Sequence, residues 1–276
     1  MRSLKFCANL NFLFKEVDGI LNRYDAAKSA GFTAVEIGFP YEIPISEIQR
    51  KKEETGLEQI LINAYPGDLS SGDFGLAGVP GRETDFNNAV KLTLEYADAL
   101  QCKKVHFMTG KLDPGSENSP VVLKTLEKNL TSILPDLQQR GIIGLIEPIN
   151  NLTIPGYLLS DFDAALSVVK AVNSPNLQLQ VDIFHLQHIH GNVTHRLQQL
   201  LPFTGHIQIA QVPFRNEPHL AGELNYSYIF DVLEKAKYTN WIGLEYNSDP
   251  VFQAGGQGTT IQGLSEWTTK LNCNIG

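Results

Sequence analysis

Residues 177–182 read Leu-Gln-Leu-Gln-Val-Asp, and residues 205–210 read Gly-His-Ile-Gln-Ile-Ala. Apolar and polar side chains alternate there with a period of two, the period of a β-strand. Leu177, Leu179 and Val181 take one face, and Gln178, Gln180 and Asp182 take the other. In the second run Ile207 and Ile209 oppose His206, Gln208 and Ala210. The same pattern sets Gly243 and Glu245 against Ile242 and Leu244, Glu36 against Val35 and Ile37, and Lys104 and His106 against Val105 and Phe107. Strands joined by helical crossovers need an apolar face toward the helices, so the polar face is left to point into a closed cylinder.

Working outward from these runs, strands are expected at Leu4–Leu10, Thr33–Gly38, Glu58–Ala64, Lys103–Thr109, Ile142–Glu147, Leu177–Asp182, Gly205–Ala210 and Trp241–Tyr246. Helical patterns separate them. The plainest is Val121–Arg140, where Leu123, Leu126, Leu130, Ile133, Leu134 and Leu137 form one stripe. Others are expected near Glu16–Ala30, Ser46–Thr55, Glu83–Leu100, Asp161–Val172 (with Ser160 or Asp161 as N-cap), Val193–Leu201, Tyr226–Tyr238 and Ile261–Leu271. Eight βα units in 276 residues suit a single (β/α)₈ TIM barrel over residues 1–276. An open doubly wound sheet would carry a Gly-rich turn after its first strand, and Asn9-Leu-Asn-Phe-Leu-Phe14 has no glycine.

Twenty-two Lys and Arg against 30 Asp and Glu give a net charge of -8. That balance argues against nucleic acid and against an anionic membrane surface as partners. No apolar run approaches the ~18 residues of a membrane span, and the N-terminal segment reads as a strand rather than a signal peptide. Three widely spaced cysteines, Cys7, Cys102 and Cys273, suit a reducing compartment, hence the cytoplasm. A homo-oligomer is compatible with all of this.

Glu36, His106, Glu147, Asp182, Gln208 and Glu245 fall near the C-terminal ends of their strands, the end at which such barrels place their sites. A buried carboxylate costs several kcal/mol unless it is paired. Four of them face few interior bases, chiefly Lys104 and Arg215. Interior salt bridges are one remedy. A divalent cation is the other, and an oxygen-rich donor set suits Mg²⁺ or Mn²⁺ better than zinc.

At these residues the chain resembles the xylose isomerase-like barrels, and among them the hydroxypyruvate isomerases. The matching segments are Ile146-Glu-Pro-Ile-Asn150, Val181-Asp-Ile-Phe-His185, Gly205-His-Ile-Gln-Ile-Ala-Gln-Val-Pro-Phe-Arg-Asn-Glu-Pro218 and Gly243-Leu-Glu-Tyr246. Gly75-Leu-Ala-Gly-Val-Pro-Gly-Arg-Glu83 and Phe6-Cys-Ala-Asn-Leu10 add to them. The resemblance implies a metal held by Glu147, Asp182, Gln208 and Glu245, with Glu147 and Glu245 as the paired proton acceptor and donor. It implies substrate contacts from His185 and Arg215, and a small anionic hydroxy-keto acid as substrate. Gln208 stands where many ketose epimerase relatives have His, and Gln211 where relatives often have Asp.

The inward-facing His106 is a further candidate for substrate contact, and the Arg215 guanidinium suits a bidentate grip on a carboxylate, unless it pairs with Glu217. His188, His190 and His195 read as ordinary polar residues past the strand end. Residues 65–82 exceed the usual loop length and are expected to form a lid. Gly255–Gly258 reads as a plain turn rather than a phosphate cradle. Three rival readings share the scaffold: a metal-dependent ketose 3-epimerase, an endonuclease-like enzyme and a binding protein without catalysis.

Overall fold

The computed structural model describes residues 2–112, 115–248 and 259–275. Gly255–Gly258 lies outside the described residues. Eight parallel strands close on themselves in sequence order: β1 Lys5–Asn9, β2 Ala34–Ile37, β3 Glu58–Asn63, β4 Lys104–His106, β5 Ile143–Ile146, β6 Leu177–Asp182, β7 Thr204–Ile209 and β8 Trp241–Leu244. The helices are α1 Ile20–Ser29, α2 Ile45–Thr55, α3 Glu83–Ala99, α4 Pro120–Arg140, α5 Phe162–Val172, α6 Ile183–Ile189, α7 Val193–Leu200, α8 Tyr226–Lys235 and α9 Thr259–Leu271. The architecture is the (β/α)₈ barrel.

Local chemistry explains the element ends. Ser119 caps α4, Pro120 opens it, and Gly141 closes it in the left-handed conformation. Its stripe is buried at Val122, Leu126, Leu130, Ile133 and Leu137, while Leu123 and Leu134 pack at the margin. Asp161 caps α5 by accepting from Ala164 N at 2.7 Å. The first helix starts at Ile20 rather than Glu16, and the Glu16 carboxylate instead accepts from Thr260 N and Oγ1 at the start of α9. α6 is an extra element: Asp182 ends β6 and its Oδ1 caps the helix through Phe184 N at 2.9 Å.

The apolar strand faces meet the helices in one continuous core. A separate apolar cluster, Cys7, Ala34, Ile60, Leu61 and Leu145, includes residues of the same strand parity as Asn9, Glu36 and Glu147, and so fills the cylinder itself. Register aligns the polar layer above it. Asn9 stands beside Glu36, Asn63 beside His106, Asp182 beside Gln208, and Gln208 beside Gly243.

The long 65–82 segment is a fixed wall more than a hinged lid. Ala77 N and Gly78 N donate to the Met108 and Thr109 carbonyls at 3.2 and 2.7 Å, and Asn129 Nδ2 holds the Ala77 carbonyl at 2.9 Å. Leu76, Ala77 and Val79 are buried. Gly75 has φ 105°, and a Cβ there would overlap the Met108 backbone. Gly75→Ala is therefore expected to cost about 1–3 kcal/mol in denaturant melts, and an unchanged midpoint would show that this wall is not packed as described.

Candidate active site

The C-terminal mouth of the barrel holds a cavity of about 490 Å³. Its polar end presents His106, Glu147, His185, Gln208, Arg215 and Glu245; Phe12, Phe39, Phe74, Met108 and Ile154 belong to its apolar wall. The strand ends supply the acids: Asp182 is the last residue of β6, and Glu147 and Glu245 follow directly after β5 and β8, each continuing the inward alternation.

Arg215 ties this end together. Its Nη2 donates to Glu245 Oε2 at 2.6 Å and to Asp182 Oδ2 at 3.2 Å. The guanidinium lies 4.7 Å from the Phe12 ring centroid and 4.9 Å from that of Phe184. Arg215 reaches this place from a backbone φ of 54°. It pairs with these two acids, and the alternative of a pair with Glu217 is not what the structure shows. With Nη2 committed, a bidentate grip on substrate needs that nitrogen released.

Glu147 is almost fully buried. Oε2 accepts from Gln180 Nε2 at 2.9 Å and lies 3.5 Å from His106 Nδ1, while Oε1 has no hydrogen-bond partner among the described residues. His185 stands over the acids, with Nε2 3.6 Å from Asp182 Oδ2 and 4.0 Å from Glu147 Oε1. Its Nδ1 accepts from Asn150 N at 3.3 Å and lies 2.7 Å from Asn150 Nδ2. The Asn150 Oδ1 is already taken by Leu152 N and Thr153 N. Two donors on Nδ1 assign the proton to Nε2, which faces the acids.

Beneath lies a second acidic group. The Glu36 carboxylate accepts from His206 Nε2, Gln208 Nε2 and Asn9 Nδ2 at 2.7, 2.7 and 2.8 Å. Gln208 is locked from both sides, since its Oε1 accepts from Gln180 Nε2 at 2.6 Å. Gly243 makes the room: a Cβ there would overlap the Glu36 carboxylate.

Burial, and then the nearness of Glu245 and Asp182, pushes the Glu147 pKa well above the usual carboxylate range. Burial raises Glu245 to about 8 and Asp182 to about 6, against the opposing pull of Arg215. Burial holds both imidazoles neutral, with His106 lowered to about 3 and His185 well below its ordinary value. Glu36 goes the other way: burial raises it, but His206, Gln208 and Asn9 together leave it lowered.

These residues fit a divalent cation. Ligand atoms of Glu147, Asp182 and His185 lie within 4.8 Å of one another. Three carboxylates face one guanidinium, and Glu147 Oε1 is a buried acceptor with no donor among the described residues. Of the four ligands that the resemblance implies, Glu147 and Asp182 are brought together and Glu245 is joined to Asp182 through Arg215. Gln208 lines the same cavity with both amide atoms engaged below, so it joins a cation only by releasing Gln180.

Asn9, Gln180 and Asn150 were not singled out from the sequence. Asn9 and Gln180 share the inward parity that exposed Glu36 and Asp182; Asn150 follows Glu147 in the quoted Glu-Pro-Ile-Asn run. Gln211 serves structure: Nε2 donates to the Leu220 and Leu224 carbonyls, and Oε1 accepts from Val212 N and Leu224 N, all at 3.0 Å. His188 packs on Phe184 with ring centroids 4.6 Å apart, and His190 Nε2 accepts from Phe162 N at 3.3 Å.

A barrel with acids gathered at this end defines a TIM-barrel enzyme, and the profile of the xylose isomerase-like TIM barrel family matches residues 24–271. The chain belongs to that family. Within it the chain is 46% identical over 274 residues to a Danio rerio protein provisionally named hydroxypyruvate isomerase, covering 98% of this chain and 96% of that one. It is 39% identical to the hydroxypyruvate isomerase of Escherichia coli K12 (91% and 96% covered) and 40% identical to the 2-oxo-tetronate isomerase of Cupriavidus necator (91% and 95%). A Brucella melitensis crystal structure titled AP endonuclease, family 2, superposes with a TM-score of 0.88 at 37% identity, covering 98% and 99%. The D-psicose 3-epimerase of Clostridium cellulolyticum H10 shares the fold at 14% identity, with a TM-score of 0.72 and 97% and 90% covered.

Two outcomes test this geometry. Gly243→Ala is expected to destabilise the protein by about 1–3 kcal/mol, because the triply bonded Glu36 has nowhere to move; a neutral result in urea titration would contradict the clamp. The second concerns pH. Glu245 and Asp182 have folded-state pKa values above their ordinary 4.5 and 3.8. Their contribution is thus fully present below those ordinary values and is lost as pH rises from there through the folded values of about 6 and about 8. The melting temperature of metal-free protein should fall over that window, and Mn²⁺ should raise it more at pH 8 than at pH 5.5. Equal increments at both pH values would count against a shared cation site.

Proposed function

We propose that this protein is a hydroxypyruvate isomerase, interconverting hydroxypyruvate and tartronate semialdehyde through an enediolate. The observation that carries the reading is the pair of desolvated glutamates, Glu147 on the β5 end and Glu245 on the β8 end, which line one cavity with Arg215 and two neutral histidines. A C–H beside a carbonyl is a weak acid, and its removal needs a positioned base whose pKa lies near the working pH. One glutamate takes the proton from C3 of hydroxypyruvate, and the electron pair moves onto the C2 oxygen. The C3 hydroxyl passes its proton to the C2 oxygen, and the other glutamate returns a proton to C2 as C3 becomes the aldehyde. The roles exchange with direction.

The His185 Nε2–H and the neutral His106 imidazole, whose nitrogens have no hydrogen-bond partner among the described residues, supply hydrogen bonds to substrate oxygens. Arg215 holds Asp182 and Glu245 in place and adds positive charge beside the developing oxyanion. The residues that would hold a divalent cation are Glu147, Asp182, Gln208 and Glu245, an oxygen set that favours Mg²⁺ or Mn²⁺, and a bound ion would supply charge to stabilise the enediolate. Three buried, unpaired cysteines suit the reducing cytoplasm, and no helix among the described residues is long and apolar enough to cross a membrane.

A four-carbon 2-oxo acid is the second reading, favoured by the near-equal identity to the Cupriavidus enzyme and by a cavity much larger than a three-carbon acid needs. The ketose 3-epimerase reading rests on distant structural likeness, which carries fold alone. The test is turnover of hydroxypyruvate, 2-oxo-tetronate, ribulose, fructose and tagatose in ²H₂O with Mg²⁺. Hydroxypyruvate should be isomerised with solvent deuterium entering carbon, and Glu147→Gln or Glu245→Gln should lower turnover by about a thousandfold in a folded protein. Full activity in both variants would overturn the mechanism; activity on ketoses alone would overturn the substrate.

A further inference from the structure

Two cations line the cavity among its described residues, and only one is spent. Arg215 offsets Asp182 and Glu245. Lys111, an exposed residue, also lines the cavity, and its ammonium has no hydrogen bond or ion pair to any described residue. Its backbone is held on both sides. Leu158 N donates to the Gly110 carbonyl at 2.9 Å, Leu112 N donates to the Gly156 carbonyl at 3.2 Å, and Lys111 forms an antiparallel bridge with Tyr157. Gly110 has φ 106°, and a Cβ there would overlap Val79 of the fixed wall. A flexible side chain thus projects from an anchored base.

An anionic substrate needs a counter-charge away from the glutamates, because its carboxylate would be repelled by Glu147, Asp182 and Glu245. The Arg215 fork is half used and stacked between two rings. We propose that Lys111 is the residue that recognises the substrate carboxylate, and that it sets the preference for 2-oxo acids over uncharged sugars. This rests on the isomerase reading above and names the determinant of its substrate class. With the carboxylate held by Lys111, C2 and C3 occupy the same cavity that Glu147 and Glu245 line, and its volume accommodates an acid longer by a hydroxymethyl group.

The test combines kinetics with binding of D-glycerate, a carboxylate that carries no carbonyl to enolise. Lys111→Met and Lys111→Arg are compared with the native chain in buffer containing Mg²⁺, by hydroxypyruvate turnover and by titration calorimetry with D-glycerate. Lys111→Met should raise KM and weaken glycerate binding by roughly tenfold or more, as expected for loss of a hydrogen bond to a charged group. Its kcat should change far less, and Lys111→Arg should restore most of the affinity. Native glycerate affinity should also fall with added salt. If Lys111→Met binds glycerate and hydroxypyruvate as tightly as the native chain, the assignment is overturned while the isomerase reading stands. Where the native chain turns over no hydroxypyruvate but Lys111→Met still loses glycerate, the isomerase reading fails and the carboxylate site stands. A native chain that binds no glycerate at all removes the carboxylate site.

Discussion

Everything at the mouth of this barrel answers to the cost of placing carboxylates out of water. Glu147, Asp182 and Glu245 converge where the period of two delivers them, and a single guanidinium cannot neutralise all three. Arg215 braces two of them, leaving Glu147 supported by one amide of Gln180 and by the nearby His106 ring. The imbalance has a chemical use. Burial, reinforced by that imbalance, raises both glutamates above the usual carboxylate range, which suits a carboxylate that must both take and return a carbon-bound proton. The same deficit of positive charge is what a divalent cation relieves.

The layer beneath makes that arrangement rigid. Glu36 is satisfied by His206, Gln208 and Asn9, and Asn9 also lies 3.4 Å from Glu245 through the same amide nitrogen. Gln180 links Glu147 to Gln208. Floor and mouth are therefore one hydrogen-bonded network crossing the barrel, and a networked polar core holds geometry better than isolated pairs do. Gly243 leaves space for the Glu36 carboxylate, and the neutral His185 is aimed by the Asn150 backbone and amide.

The barrel was legible because five strand runs alternate polar with apolar residues and the long helices carry apolar stripes. The acids were legible for the same reason: parity places Glu36, Glu147, Asp182 and Glu245 inside without any knowledge of neighbours. Contacts between strands were not. Glu36 meets His206 across the barrel from β2 to β7, with register shifts at Val35/Glu36 and Leu179/Gln180 that no single strand reveals. The seating of Arg215 depends on a left-handed backbone at a residue with no intrinsic preference for it. α6 leaves no periodic signal in the sequence, because seven residues are too few to establish a helical period. Lys111 carries no signal in the sequence, because an exposed loop lysine looks like any other until the cavity beside it is known.

The most direct measurement of the central claim is anomalous scattering from crystals grown with Mn²⁺. The account predicts one manganese peak at the barrel mouth, within coordination distance of carboxylate oxygens from Glu147, Asp182 and Glu245. A peak elsewhere, with those three carboxylates turned toward separate partners, would contradict it.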